Sequence, residues 1–195
     1  TSAACIGQGM ATVTTQIACE TLNLPPEMIV AEAPDTRRTP NSGTTTASRQ
    51  SLFTGEATRR AAMQLRYELD MGRALSDLEG EEFYGEYSAK TDPLINDKKS
   101  PVSHAGYGYA AEVAILDDKG KVAKFVAAYD MGQVVNPRAA EGQIEGGIAM
   151  GMGYALTEKF ALEEGYVKAK YATLGLVNAT QVPPIETILV HADNL

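Results

Sequence analysis

The sequence predicts an α+β fold in two halves of mixed helices and small sheets, about 1–100 and about 101–195, within one domain-sized chain. Three observations carry that expectation. Apolar residues recur at helical spacing in three segments. A strictly alternating hairpin opens the second half. A last apolar strand, Ile185 to Val190, follows the third helix. No close sequence repeat relates the halves.

Each element has its own warrant. Met10, Val13, Ile17 and Leu24 form the stripe of an amphipathic helix, and Pro25-Pro26 end it. Met28 to Ala31 predicts a short strand. Pro34 to Thr46 has turn composition and leads into a second helix with apolar spacing at Phe53, Ala57, Ala61, Leu65 and Leu69. Leu75 to Ser103 is acidic and irregular, broken at Asp92-Pro93 and Ser100-Pro101, with a strand expected near Phe83 to Tyr87. Tyr107, Tyr109, Ala111, Val113 and Ile115 then alternate, Asp117 to Gly120 turns, and Val122 to Tyr129 returns. Asn136 as N-cap and Pro137 at the first helical position open a third helix, expected through Gln143 and Met150 to about Glu158.

Composition excludes several function classes. A chain of 195 residues buries roughly 70% of its unfolded surface and needs no staple. The net charge is −8, and Arg37-Arg38 and Lys98-Lys99 are isolated basic pairs, so nucleic acid is not the expected ligand. No apolar run approaches the ~20 residues of a membrane span. Cys5 and Cys19 make no disulfide framework; they are expected as buried structural thiols in a cytoplasmic protein. His104 and His191 lack thiol or carboxylate neighbours at ligand spacing, so any metal must arrive on an organic cofactor.

Three segments sacrifice stability that a plain core would keep. Gly7-Gln8-Gly9 sits where a strand is expected to turn into the first helix, with Thr1 already inside that strand. The glycines allow positive φ, the helix start offers free N–H groups, and Gln8 adds a donor and an acceptor. A tight turn would explain the same residues. Ser42 to Gln50 (Ser-Gly-Thr-Thr-Thr-Ala-Ser-Arg-Gln) supplies more hydroxyls than one helix cap needs. It reads either as a solvated loop or as a polar cradle for a phosphate or pterin. Glu141 to Gly153 carries five glycines in one helix, at about 1 kcal/mol each relative to alanine. Close packing of another element would justify that loss, and so would a bulky cofactor lying on bare backbone. Gln8 and Gln143 sit near the starts of two glycine-bearing helices, one per half, so two amides are expected to close on one ligand.

Taken in order, several motifs resemble the molybdenum-binding subunit of the xanthine dehydrogenase and aldehyde oxidase family. They are Gly7-Gln8-Gly9, Thr39 to Gln50, Asp130-Met131-Gly132 with Asn136-Pro137, and Glu141 to Gly147. The resemblance covers nearly the whole chain. The tail, Tyr171 to Leu176 and Val182 to Glu186, is most similar to the selenium-dependent xanthine dehydrogenase branch. The resemblance implies a fold of the molybdenum cofactor-binding domain type. It implies that Gly7, Gln8, Gly9, Thr45, Thr46, Ala47, Ser48, Gln50 and Gln143 hold molybdopterin, alone or as a dinucleotide, with Ala111 or its neighbours near the pterin. The implied reaction is hydroxylation of a purine or aldehyde at an electron-poor carbon with oxygen from water. Electrons would leave through iron–sulfur clusters and FAD on other domains or subunits.

The family's general base is a glutamate in a Gly-X-Gly-Glu type segment some tens of residues beyond the strand that Ile185 to Val190 matches. No such segment occurs within these 195 residues, so the expectation is a fragment that does not turn over alone and needs the rest of the molybdenum subunit. Two other readings compete: a non-catalytic module that carries the cofactor, and a structural α+β domain whose glycine helix serves packing alone.

Overall fold

A computed structural model describes residues 1–93, 95–170 and 172–191. They form two compact units, Thr1–Tyr107 and Gly108–Leu195.

The first unit is built on α1 (Met10–Leu22) and α2 (Gln50–Asp70), which pack through Met10, Val13, Thr14, Leu22 and Ala62. A Cβ on Gly55 would lie 2.7 Å from Ile17 Cδ1, so a side chain larger than hydrogen at that point would force the side chain of Ile17 to move. Asn23, left-handed at φ 55°, ends α1 before Leu24 and the two prolines are reached. The strands expected in this half are absent among its described residues. Residues 1–6 form none, and Met28 to Ala31 is a 3₁₀ turn at Pro26–Met28 followed by unpaired extended chain. Phe83 to Tyr87 is extended but pairs with no strand. Its carbonyls accept hydrogen bonds from α2 side chains instead: Gln64 Nε2 donates to Tyr84 O at 2.6 Å and Arg60 Nη1 to Glu86 O at 2.9 Å. Apolar alternation says nothing about which groups will satisfy the backbone.

Arg59 and Arg60 also converge on Glu56, with Arg59 Nε at 2.7 Å from Oε2 and Arg60 Nε at 2.8 Å from Oε1. Hydrogen bonds from Arg59, then from Arg60, hold the Glu56 carboxyl down to about 2. Because the folded value lies below the unfolded one of about 4.5, the contribution to stability is complete above that pH and is lost as pH falls towards 2. Both guanidinium groups are about half exposed, which limits the contribution to under about 1 kcal/mol. An NMR titration should place the Glu56 midpoint near 2 and move it upward in Arg59→Gln; an ordinary midpoint in the wild type would refute the pairing.

The second unit is a βαβ arrangement with a hairpin partner. β1 (Tyr109–Leu116) pairs antiparallel with β2 (Val122–Asp130), Val113 opposite Val126, with a bulge between Ile115 and Leu116. α3 (Pro137–Leu156) follows, started by Asn136 Oδ1 accepting from the Ala139 N–H at 3.0 Å, and ends two residues short of Glu158. A small hairpin that the sequence did not announce, β3 (Leu162–Glu163) and β4 (Tyr166–Val167), comes next. β5 (Ile185–Leu189) then joins β2 in parallel, giving the order β1-β2-β5. Crossing from β2 to a parallel neighbour requires a connection of helix length, and α3 is that connection.

α3 presses Ile144 and Ile148 onto Ala127, ringed by Phe125, Tyr129, Ile185 and Leu189. Register alternation puts Tyr109, Val113, Ile115 and Ile188 on the opposite sheet face, where all four are exposed. Tyr171, the first residue of the tail motif, lies outside the described residues.

Candidate functional site

The first unit brings two of the three motifs together. Gly9 is the N-cap of α1, left-handed at φ 78°, and Gly7 has φ 106°; neither conformation suits a residue with a Cβ. Gln8 folds back on this turn: its Oε1 accepts from the Ile6 N–H at 2.6 Å and its Nε2 donates to Ala4 O at 3.3 Å. One amide hydrogen and one lone pair of Gln8 remain for a ligand. The Thr45 hydroxyl reaches the same Ala4 carbonyl at 2.9 Å, joining the hydroxyl-rich loop to the glycine turn.

Cys5 is exposed rather than buried, and Cys19 is half-buried. Hydrogen bonding from the Gly7 N–H, then Met10, with smaller contributions from Gly9 and Ala11, holds the Cys5 thiol below its ordinary range. The short Cys-X-Gly step lets the sulfur turn back onto the helix start. The sequence signal for it was present, since Cys5 lies four residues before the helix-opening Gly9, with Gly7 between them, and is within reach of those amides.

At α2 the hydroxyls are not used for capping. The helix begins at Gln50 with Arg49 at the N-cap and no side-chain cap hydrogen bond. Ala47 and Ser48, immediately before it, are both left-handed, at φ 57° and 50°. Such a conformation costs roughly 1–2 kcal/mol per non-glycine residue, and stored strain of this kind concentrates at functional sites. Thr46, Ala47 and Ser48 are exposed, Thr45 is half-buried and Gln50 is buried. A cleft of about 800 Å³ runs along α2 beneath Phe83 to Ala89, with Arg38, Arg49, Phe53 and Thr58 among its walls. Of the nine expected cofactor residues only Gln50 lines it; Gln8, Gly9 and Thr45 are half-buried and the other five exposed.

In the second unit Gln143 stands exposed on α3, on the side away from Ile144 and Ile148. Its helical neighbours at i+3 and i+4 are Gly146 and Gly147. Nothing in the unit comes within 4 Å of a Cβ placed on Gly142, Gly146, Gly147 or Gly151. Side chains on a helix lean towards its N-terminus, so Gln143 leaves the patch behind it bare. Only Gly153 is crowded, by Glu158 Oε1 at 2.5 Å and Val177 Cγ2 at 3.4 Å. Intra-unit packing therefore explains one of the five glycines. Within the second unit, bare helix backbone beside an exposed amide leaves room for a flat polar group. Among the described residues no cluster of His, Cys, Asp and Glu offers a metal site of its own.

The fold is that of a cofactor-binding domain. Residues 1–85 and 71–183 match the family model of the molybdopterin cofactor-binding domain, and the chain belongs to that family, within the xanthine dehydrogenase and aldehyde oxidase group. It is 28% identical to the xanthine dehydrogenase molybdenum-binding subunit of Escherichia coli O157:H7, over 81% of this chain and 25% of that subunit. It is 32% identical to the aldehyde oxidoreductase of Megalodesulfovibrio gigas over 71% of this chain and 17% of that protein. The crystal structure of the aldehyde oxidoreductase from Desulfovibrio gigas superposes with a TM-score of 0.78 at 28% identity, covering 95% of this chain and 22% of that one. The chain thus spans about a quarter of the curated relative's length.

Proposed function

We propose that this chain holds the molybdenum cofactor in a hydroxylase of purine-like heterocycles, with Gly7, Gln8, Gly9, Thr45, Thr46, Ala47, Ser48, Gln50 and Gln143 forming the cofactor's surroundings. The observation that carries the reading is the bare backbone at Gly146 and Gly147 beside the exposed amide of Gln143. When bound, the cofactor supplies the two-electron oxidation of the substrate carbon, and water supplies the oxygen.

The chain's own work is recognition and orientation. The free amide hydrogen and lone pair of Gln8 suit the donor–acceptor edge of a pterin or an oxo group. The start of α2 at Gln50, which has no side-chain cap, offers an anion the charge complement of free helix-start N–H groups. Gln143 supplies a second amide in the other unit, and the glycine patch lets a flat ring rest on backbone. The general-base glutamate, iron–sulfur clusters and FAD belong to other parts of a longer assembly in this reading. Purine is favoured over aldehyde by the tail motif, the relatives including both a xanthine dehydrogenase subunit and an aldehyde oxidoreductase.

Gln143→Ala in the full-length protein tests the proposal. Because Gln143 is exposed, the unfolding midpoint should stay within about 1 °C, while molybdenum occupancy falls about ten-fold, the loss of one charge-assisted or well-buried hydrogen bond. Unchanged occupancy would refute the role of Gln143. Turnover of benzaldehyde with none of xanthine would move the substrate to the aldehyde branch.

A further inference from the structure

We infer that Thr45 and Gln50 are positioning residues: they tie the Gly7-Gln8-Gly9 turn to α2 through the Ala4 carbonyl and leave contact with the ligand to their neighbours. The functional half of this inference rests on the cofactor reading above; the tether itself does not.

The observation is an unbroken line of hydrogen bonds between two segments far apart in sequence. The Thr54 hydroxyl donates to Gln50 Oε1. Gln50 Nε2 donates to Thr45 Oγ1 at 3.0 Å, and Thr45 Oγ1 donates to Ala4 O at 2.9 Å. Gln8 Nε2 approaches that carbonyl at 3.3 Å, and Gln8 Oε1 accepts from the Ile6 N–H. Every proton in the line points towards Ala4. Thr45 has one hydroxyl proton, and it is committed to Ala4, so the residue has none to offer a ligand. Gln50 is only 8% exposed, and both ends of its amide are engaged. Thr45 has no donor left and the Gln50 amide is buried, whereas Gln8, Thr46 and Ser48 keep donors at the surface.

The geometry has a direction that a test can reverse. A carboxylate at position 50 accepts but does not donate. It would draw the single Thr45 proton to itself, and Ala4 would lose the shorter of its two hydrogen bonds with almost no change of volume. Removing the Thr45 hydroxyl cuts the line at the same place. In either case the turn is held by Gln8 alone, through one long hydrogen bond and one local one.

The experiment uses the full-length protein and two readouts. The first is amide hydrogen exchange over Ile6 to Met10 in protein purified without cofactor. The second is molybdenum per polypeptide after expression with cofactor synthesis. Thr45→Val and Gln50→Glu should exchange about ten-fold faster over Ile6 to Met10 and hold about ten-fold less molybdenum, the equilibrium worth of one such bond. Thr45→Ser, which restores the hydroxyl, should match the wild type in both. Thr58→Val removes a hydroxyl that donates to Thr54 O at 2.8 Å on the same helix but stands outside the line. It should lower stability without touching either readout. Unchanged exchange in Thr45→Val, or Thr45→Ser as fast as Thr45→Val, would overturn the tether. Fast exchange with normal molybdenum loading would overturn the positioning role. A wild-type protein that never holds molybdenum would end the cofactor reading instead, and the exchange arm would still judge the tether.

Discussion

Gly146→Ala and Gly147→Ala should each make the chain more stable, while Gly147→Leu should strip it of cofactor. The two effects have different origins. A Cβ at either position meets nothing in the unit within 4 Å, and neither glycine has a positive φ. Alanine therefore recovers the helix propensity that glycine forfeits, about 1 kcal/mol per site, which for a chain of this size raises the unfolding midpoint by roughly 2–4 °C. If the bare patch exists to receive a flat ring, a leucine there occupies the ring's place, and molybdenum occupancy should fall by well over ten-fold. Gly153→Ala is the internal contrast. Its Cβ would lie 2.5 Å from Glu158 Oε1 and 3.4 Å from Val177 Cγ2, so the Glu158 side chain must shift and the gain should be smaller than at Gly146 or Gly147. A Gly147→Leu protein that loads molybdenum normally would show that the open face of α3 serves something other than the cofactor.

That face also shows what a sequence can and cannot disclose. Five glycines in twenty helical residues were legible as a cost, but whether packing or a ligand offsets it depends on which atoms approach each Cα, and no spacing rule reports that. The helices, the hairpin and the last strand were legible because each carries its period in its own residues. The third helix also carried its cap, and Asn136 caps α3 as its side chain predicts. The strands expected at Met28 to Ala31 and Phe83 to Tyr87 failed for one reason. A strand is a statement about a partner, and apolar residues do not name one. The link among Thr54, Gln50, Thr45 and Ala4 divides along the same line. Thr54 lies four residues after Gln50 on one helix, so that pair was readable. The Ala4 carbonyl, a backbone group forty-one residues before Thr45, was not.

Gly85→Ala should be the most damaging single substitution in the first unit, at about 3 kcal/mol. Gly85 lies at the closest point between the extended segment Phe83 to Tyr87 and α2. A Cβ there would fall 2.0 Å from Ala57 O, 2.6 Å from Ala61 N and 3.0 Å from Ala61 Cβ. The two nearest atoms are helix backbone, which cannot swing aside, so the segment must lift. Lifting breaks the hydrogen bonds from Gln64 to Tyr84 O and from Arg60 to Glu86 O. It also separates the Phe53 and Tyr87 rings, whose centroids are 5.4 Å apart, and removes the Arg60 guanidinium from its seat over Tyr87. Urea unfolding should show the loss, and Ala61→Gly should not rescue it, because deleting that Cβ leaves both backbone contacts in place. Gly80→Ala separates this clash from ordinary glycine strain. Its φ is +82° but its Cβ would meet open space, so the cost should stay near the ~1–2 kcal/mol of a left-handed backbone. Equal losses at the two positions would mean that the segment does not lie on α2 as described.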